Sequence, residues 1–275
     1  MLTLVFVSAL AAAPESASVS ISGSIEASLV RTLPDAGRAL AAQVARLLRW
    51  RGDVVRNIQP NDQLTVVYRS GARPQLLAMD YDGLQIELRA YRFRGDDDVA
   101  RFYDETGQLV EPWMRKLPTP EYQQITETVQ FGRGKRQHHG LDLKAAAGAH
   151  IILPYAGRVS RVNWRTRWNG RCVEIIYDDG HVARFLHLGE VADAVAPGQK
   201  LPAGTPIGTV GNTGRSSAPH LHYEVRGKNG QKTLDPLEYH GTQILSLGPG
   251  PRQAFSAVRD DYDALLARAR GDHPT

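Results

Sequence analysis

The chain has 275 residues, which is enough for two modest domains that each bury a core. Hydrophobic residues make up 42% and charged residues 23%, as in an ordinary globular protein, and no apolar run reaches the roughly 20 residues of a membrane-spanning helix. The net charge of +4 comes from scattered basic residues. It is compatible with an anionic polymer as partner but predicts no nucleic-acid groove, because no Lys/Arg block is present.

The N-terminal segment, residues 1–13, is apolar and ends in small residues. This pattern predicts a secretory signal peptide with an Ala-Leu-Ala type cleavage site. The segment lacks the basic residues that normally begin a signal peptide, so an N-terminal strand is the alternative. We expect the mature protein to be soluble, without stable membrane insertion.

The next part of the chain predicts an α+β domain over residues 25–116. Leucine and valine side chains recur at helical spacing within residues 33–50, which predicts one amphipathic helix. Alternating apolar residues then predict strands at residues 63–69, 75–81 and 84–93. The run Leu117-Pro118-Thr119-Pro120 predicts a linker, assigned to residues 117–130.

Short strands separated by glycine-rich turns dominate the second predicted domain, residues 131–245. These strands are predicted at residues 157–164, 171–177, 181–188, 206–211 and 220–226. The pair Asp179-Gly180 between two of them is a strong hairpin signal. Residues 251–270 predict a C-terminal helix with an apolar face. The fold class is therefore predicted as mainly β with some α structure, built on an antiparallel sheet.

Two histidines, His220 and His222, lie two residues apart at the start of a predicted strand. Strand side chains alternate between faces, so the two imidazoles share one face, roughly 6.5 Å apart. Taken alone, such a pair is more often a surface or core feature than a pair of metal ligands.

A second constellation, His138-His139-Gly140-Leu141-Asp142, lies upstream. In an extended segment the even separation of His138 and Asp142 puts both on one face, while His139 points away. Together with His222 they supply two imidazoles and a carboxylate, and they leave a fourth position for water. That is the composition of a catalytic zinc site rather than of a closed structural one.

Two further histidines are candidates for chemistry beside such a metal. His187 ends a predicted strand, and His220 remains from the pair described above. Peptide hydrolysis by a zinc-activated water needs a base for the proton and a donor for the tetrahedral oxyanion. Two imidazoles beside the metal can divide these duties, and the sequence does not assign them individually.

The joint order of these motifs resembles the lysostaphin-like, or LytM-type, zinc peptidases of family M23. The motifs are His138-x-Gly140-x-Asp142, Phe185-Leu186-His187-Leu188 and Pro219-His220-Leu221-His222-Tyr223-Glu224. The resemblance implies one zinc ion per chain, bound by His138, Asp142 and His222, with His187 and His220 as the catalytic pair. A weaker similarity links residues 25–116 to the N-terminal domain of two-domain Gram-negative cell-shape endopeptidases, which implies that this domain partly restricts access to the cleft.

The function implied by the resemblance is that of an exported, monomeric zinc metalloendopeptidase that hydrolyses peptide cross-links of peptidoglycan. Its partners would be the stem peptides, in the periplasm or cell envelope of a Gram-negative bacterium or after secretion. One alternative is a non-catalytic member of the same fold that activates cell-wall amidases; such members lose metal ligands, whereas this chain keeps all three. The other is a carbohydrate-binding β module with an incidental histidine cluster, which predicts no stoichiometric metal.

Overall fold

The structure, a computed structural model, describes residues 12–130 and 137–272. The predicted signal segment lies outside these residues except for Ala12 and Ala13. The helices are α1 (Ile25–Thr32), α2 (Gly37–Leu48), α3 (Val54–Asn57), α4 (Thr166–Asn169), α5 (Pro236–His240) and α6 (Pro249–Arg270). The strands are β1 (Glu15–Ser20), β2 (Gln63–Arg69), β3 (Gln75–Asp82), β4 (Glu87–Arg94), β5 (Ala100–Tyr103), β6 (Trp113–Met114), β7 (Gln124–Glu127), β8 (Leu141–Lys144), β9 (His150–Ile152), β10 (Gly157–Val162), β11 (Arg171–Tyr177), β12 (Val182–Val191), β13 (Lys200–Leu201), β14 (Pro206–Val210), β15 (His220–Arg226), β16 (Thr233–Leu234) and β17 (Thr242–Gln243).

The chain divides into two compact units. The first comprises the described residues up to Phe93, residues 102–110 and the described residues from Gly248 onward. The second comprises residues 94–101 and 111–247. The C-terminal helix α6 therefore belongs to the first unit, although the larger unit precedes it in the chain.

The first unit is an antiparallel sheet in the order β1-β2-β3-β4-β5 with helices packed on it. Helix α1 begins where the Ser24 hydroxyl accepts a hydrogen bond from the Ala27 N–H, a normal N-cap. Phe255 packs helix α6 against strand β4. Its ring lies edge-on to the ring of Tyr91, and the two centroids are 5.9 Å apart. The Tyr91 hydroxyl in turn donates to Asp263 at 2.6 Å.

Strand β1 was not expected, because its segment is rich in serine. The structure shows that the serines alternate with apolar residues, so that Val19 and Ile21 are buried against the core while the serines line the other face. The small polar residues are compatible with a strand here because β1 pairs with β2 along its whole length.

The second unit is built on a ten-stranded antiparallel sheet whose main path is β13-β10-β11-β12-β15-β8-β7, with β9, β14 and β16 attached. The segment predicted as a linker, residues 117–130, contains β7, which pairs with β8 and belongs to this sheet. The proline-containing run is an ordered part of the unit, since the Pro118 carbonyl accepts a hydrogen bond from the Ile152 N–H at 2.8 Å.

These observations confirm the predicted fold class, since antiparallel strands dominate and a C-terminal helix is present. Strands β11 and β15 have the predicted bounds, 171–177 and 220–226. Across residues 12–130 and 137–272, none of the helices combines the length and the hydrophobicity needed to cross a bilayer.

Candidate metal centre and catalytic histidines

The centre of the candidate site is a cross-strand pair in the second unit. His222 on β15 lies directly opposite Asp142 on β8 in the antiparallel register. Directly opposed residues have Cβ atoms about 5 Å apart, close enough for their side chains to meet. The His222 Nδ1 atom is accordingly 2.8 Å from the Asp142 Oδ1 atom.

His138 reaches the same carboxylate from the segment that leads into β8. Its Nε2 atom lies 3.1 Å from Asp142 Oδ1 and 3.1 Å from His222 Nδ1. Gly140 allows this path, because a Cβ at that position would lie 2.3 Å from the Tyr223 carbonyl oxygen. Any other residue there would push the His138 segment away from β15.

The three side chains form a donor set that fits zinc. Their candidate ligand atoms lie within 4.8 Å of one another, and the three nearest separations are 2.8 to 3.1 Å. Ligands in a tetrahedral zinc site are about 3.3 Å apart, given bonds of about 2.0 Å. Two imidazoles and one carboxylate therefore need only a small outward movement to bind the ion.

The orientation of His222 is set by a buried carboxylate behind it. The Glu224 Oε1 atom lies 3.2 Å from His222 Nε2, and a carboxylate can only accept, so Nε2 carries the proton and Nδ1 faces Asp142. Glu224 is itself held by hydrogen bonds from Arg184 at 3.2 Å and Arg226 at 2.7 Å. This is the outer-shell arrangement that fixes a metal-binding histidine.

A backbone carbonyl performs the same role for His138. Its Nδ1 atom lies 2.9 Å from the carbonyl oxygen of Thr128, which leaves Nε2 to face Asp142. Thr128 lies within the segment predicted as a linker. The segment therefore helps to position the candidate ligand.

The two remaining histidines lie together beside this cluster. Their ring centroids are 4.9 Å apart, and the Nε2 atom of His220 is 3.6 Å from Asp142 Oδ1. His187 donates from Nδ1 to the Thr213 carbonyl at 2.9 Å, and His220 donates from Nδ1 to the Ala218 carbonyl at 2.8 Å. In both rings a carbonyl engages Nδ1, which leaves Nε2 as the nitrogen that can accept or, when protonated, donate.

His187 also has an uncommon backbone conformation, with φ of +66° at a buried, non-glycine position. Such a conformation costs free energy and persists where the surroundings enforce it, often at functional sites. It accompanies an irregularity in the pairing of β12 just beyond this residue. The strained backbone belongs to one of the residues predicted to act in catalysis.

The surroundings of His222 and His187 shift their pKa values in opposite directions. Burial lowers the pKa of His222, but the hydrogen bonds to Asp142 and Glu224 outweigh it and raise the pKa to about 9. Burial, followed by the neighbouring His220, lowers the pKa of His187 to about 4. Burial would raise the pKa of the Asp142 carboxyl, yet the two imidazoles hold it well below its usual range. Asp142 is thus an anion, and His187 is neutral at neutral pH.

The structure brings together all five side chains predicted from the sequence, namely His138, Asp142, His187, His220 and His222. Glu224 had no predicted role, although its position two residues after His222 puts it on the same strand face. The carbonyls of Thr128, Thr213 and Ala218 were not predicted either. Carbonyls carry no residue-specific signal, so no pattern could have identified them.

Comparison with known proteins connects this site to a family. Residues 136–236 match the model of peptidase family M23. Peptidoglycan DD-endopeptidase ShyA of Vibrio cholerae is 28% identical over 250 residues, which cover 84% of this chain and 55% of ShyA. DD-carboxypeptidase/endopeptidase Mpg of Neisseria meningitidis is 35% identical over 136 residues, which cover 50% of this chain and 30% of Mpg.

Among solved structures, a zinc-containing peptidase from Vibrio cholerae aligns with 82% of this chain and 70% of its own, at 23% identity and a TM-score of 0.41. The chain spans about half the length of ShyA. The segment matched by the family model contains all five converging side chains. The second unit of this chain therefore carries a domain of peptidase family M23.

Proposed function

We propose that this chain is an exported zinc metalloendopeptidase that hydrolyses the peptide cross-links of peptidoglycan. One observation carries the proposal: His138 Nε2, Asp142 Oδ1 and His222 Nδ1 converge, with the imidazoles of His187 and His220 beside them. The names of relatives such as ShyA support the substrate class.

The chemistry follows from the donor set. Zinc, when bound, lowers the pKa of a water molecule towards 7 and polarises a carbonyl group. His138, Asp142 and His222 would hold the ion with ring nitrogens and a carboxylate oxygen already turned towards one point. A three-ligand set leaves room for substrate, as catalytic zinc sites require.

His187 and His220 would divide the proton chemistry. A neutral imidazole with a free Nε2 can accept the proton of the attacking water, and a protonated one can donate a hydrogen bond to the oxyanion. Both rings are held by carbonyls on Nδ1, so both present Nε2 in a fixed orientation. A base that must be neutral and a donor that must be protonated together predict a bell-shaped dependence of kcat/KM on pH.

The proposed place of action is the cell envelope, because peptidoglycan lies there. The signal peptide predicted over residues 1–13 would supply export. The relatives named as peptidoglycan endopeptidases support an envelope location.

The test is hydrolysis of purified sacculi by the full chain. We expect loss of turbidity and release of uncross-linked peptides, identified by mass spectrometry, with loss of activity on chelation and recovery on addition of zinc. The control is His139→Ala, since His139 is adjacent to a proposed ligand but contacts Thr233 instead. That variant should retain full turnover.

Two outcomes would contradict the proposal. Stimulation of an added amidase, with no peptide release by the chain itself, would favour the activator predicted as the alternative. Binding to sacculi without stoichiometric metal and without release would favour a carbohydrate-binding module.

A further inference from the structure

A basic and aromatic surface is formed by the helical turn that connects β10 to β11 and by the loop between β14 and β15. We call it the Trp168 cluster and define it by Arg167, Trp168 and Arg215. The Arg215 guanidinium carbon lies 5.3 Å from the centroid of the Trp168 ring, and that of Arg167 lies 5.8 Å from it. The indole is 52% exposed and both arginines are exposed. An indole face attracts guanidinium groups, so the ring holds both cations in place.

The Trp168 cluster is joined to the proposed catalytic histidines by one short loop. Thr213 accepts from His187 Nδ1 at 2.9 Å, and the Ser216 hydroxyl lies 3.2 Å from His220 Nδ1. Between them, the Arg215 N–H donates to the Trp168 carbonyl at 3.0 Å. Residues 213–216 therefore contact both histidines and the cluster within four positions.

A tight contact on the other side of the turn fixes the same arrangement. Gly170, which ends the turn at φ of +67°, is packed so closely on Thr213 that a Cβ would lie 2.2 Å from its hydroxyl oxygen. The next N–H, that of Arg171, donates to this hydroxyl at 2.9 Å. The turn that carries Trp168 is thus held at a defined position beside the histidines by its contacts with Thr213, independently of the side chains of the cluster.

The two arginines of the cluster are not neutralised. Elsewhere in this unit, Arg161 and Arg184 both pair with Glu174 at 2.7 Å. Neither Arg167 nor Arg215 has a carboxylate within 4 Å among the residues that the structure describes. An exposed, organised pair of cations beside a reaction site attracts and orients anionic substrate.

We propose that the Trp168 cluster binds free carboxylate groups of the peptidoglycan stem peptide and so determines which cross-links enter the site. The proposal rests on the proposed function, because it names the substrate feature that the same site recognises. We favour carboxylate as the ligand because a guanidinium group binds it with paired hydrogen bonds and with opposite charge. A neutral sugar hydroxyl lacks the charge attraction. Trp168 would act as a positioning residue through the two arginines.

The first experiment compares two substrates: native sacculi, and sacculi whose free carboxylates have been converted to amides with carbodiimide and ammonia. On native sacculi, the double variant Arg167→Gln/Arg215→Gln should raise KM about tenfold, with kcat and zinc content unchanged. This estimate assigns a factor on the order of three to each lost pair of an arginine with a substrate carboxylate. Trp168→Leu should raise KM in the same direction, and Trp168→Phe should restore part of the loss because a ring is retained.

The matched control is Lys228→Gln. It removes one exposed positive charge from the turn after β15, about 20 Å along the strand from His220, and should leave KM unchanged. Amidated sacculi should raise the KM of the wild type, and the arginine substitutions should then have little further effect. An arginine double variant with wild-type KM, or one whose KM increase persists on amidated sacculi, would overturn the proposal.

A binding measurement separates this proposal from the proposed function. In a His220→Ala background, cosedimentation with native sacculi should be weakened by Arg167→Gln/Arg215→Gln and by amidation. If the wild type cleaves no cross-links but this pattern of binding holds, the proposed function fails and carboxylate recognition stands. If the wild type cleaves and binding is insensitive to both changes, carboxylate recognition alone fails.

Discussion

Each histidine of the proposed site uses one ring nitrogen to donate to a protein oxygen and turns the other towards Asp142 or its neighbours. The acceptors are the carbonyls of Thr128, Thr213 and Ala218 and the carboxylate of Glu224. The ring orientations are therefore set before any ligand binds. Three acceptors belong to the backbone, so Glu224 is the member of this set that a substitution can test.

Replacing Glu224 by Gln should weaken zinc binding by about 10- to 100-fold, because the charged acceptor behind His222 is lost. Competition with a fluorescent chelator measures this affinity. The matched control is Glu174→Gln, since Glu174 shares Arg184 with Glu224 but does not contact His222. If zinc affinity fell equally in both variants, the effect would come from the ion-pair network. That result would contradict the role of Glu224 in orienting His222.

Zinc binding should release protons at neutral pH. Without metal, the pKa of His222 is raised to about 9, so the site holds a proton that zinc must displace. The apparent affinity for zinc should therefore rise with pH until about pH 9. Calorimetry in buffers of different ionisation enthalpy measures the number of protons released. A zinc affinity that is independent of pH would contradict the assignment of this proton to His222.

The same raised pKa affects the stability of the metal-free fold. The proton on His222 stabilises this fold fully below about pH 6.5, and the stabilisation is lost as the pH passes 9.

Strand β5 carries a buried cation, Arg101, that belongs to the second unit. Arg101 is 2% exposed and donates to the carbonyls of Tyr122 and Pro120 and to the Asp97 carboxylate. Arg101→Ala removes the buried guanidinium that donates to both carbonyls and should lower the free energy of unfolding by roughly 3 kcal/mol.

Urea denaturation followed by tryptophan fluorescence measures this change, because the guanidinium lies 4.9 Å from the Trp113 ring. Arg94→Ala is the control, as its pair with Asp98 is exposed and should contribute less than about 1 kcal/mol. Similar losses in the two variants would show that Arg101 has no special structural role.

Strands β2, β11 and β15 have the bounds that the sequence predicts. Polar and apolar residues alternate strictly in β15, whereas β2 and β11 are short runs rich in apolar residues. The linker predicted over residues 117–130 did not include a strand. The prolines at 118 and 120 are a local signal, whereas the pairing of β7 with β8 depends on residues distant from that run. The site was predictable to the extent that a strand period places His220 and His222 on one face. The register that puts Asp142 opposite His222 is a property of the assembled sheet.

At the scale of the whole molecule, we propose that the first unit restricts access of peptidoglycan to the M23 domain. The test is a fragment of residues 94–247, which keeps Arg101 and the Glu111 carboxylate that accepts from the Ile125 N–H. If only a fraction of the full chain is open to substrate, the fragment should show a several-fold higher kcat/KM on sacculi. Equal kcat/KM, at equal zinc content and with cooperative melting of the fragment, would contradict restriction.

We propose that His222 binds zinc while His220, on the same strand face, acts on the substrate. The most direct measurement is zinc per chain by mass spectrometry, together with peptide release from sacculi, for the wild type, His222→Ala and His220→Ala. We expect about one zinc in the wild type, loss of both zinc and activity in His222→Ala, and retained zinc with activity lowered on the order of a hundredfold or more in His220→Ala. A His222→Ala protein that keeps wild-type zinc and turnover would show that His222 is not a zinc ligand.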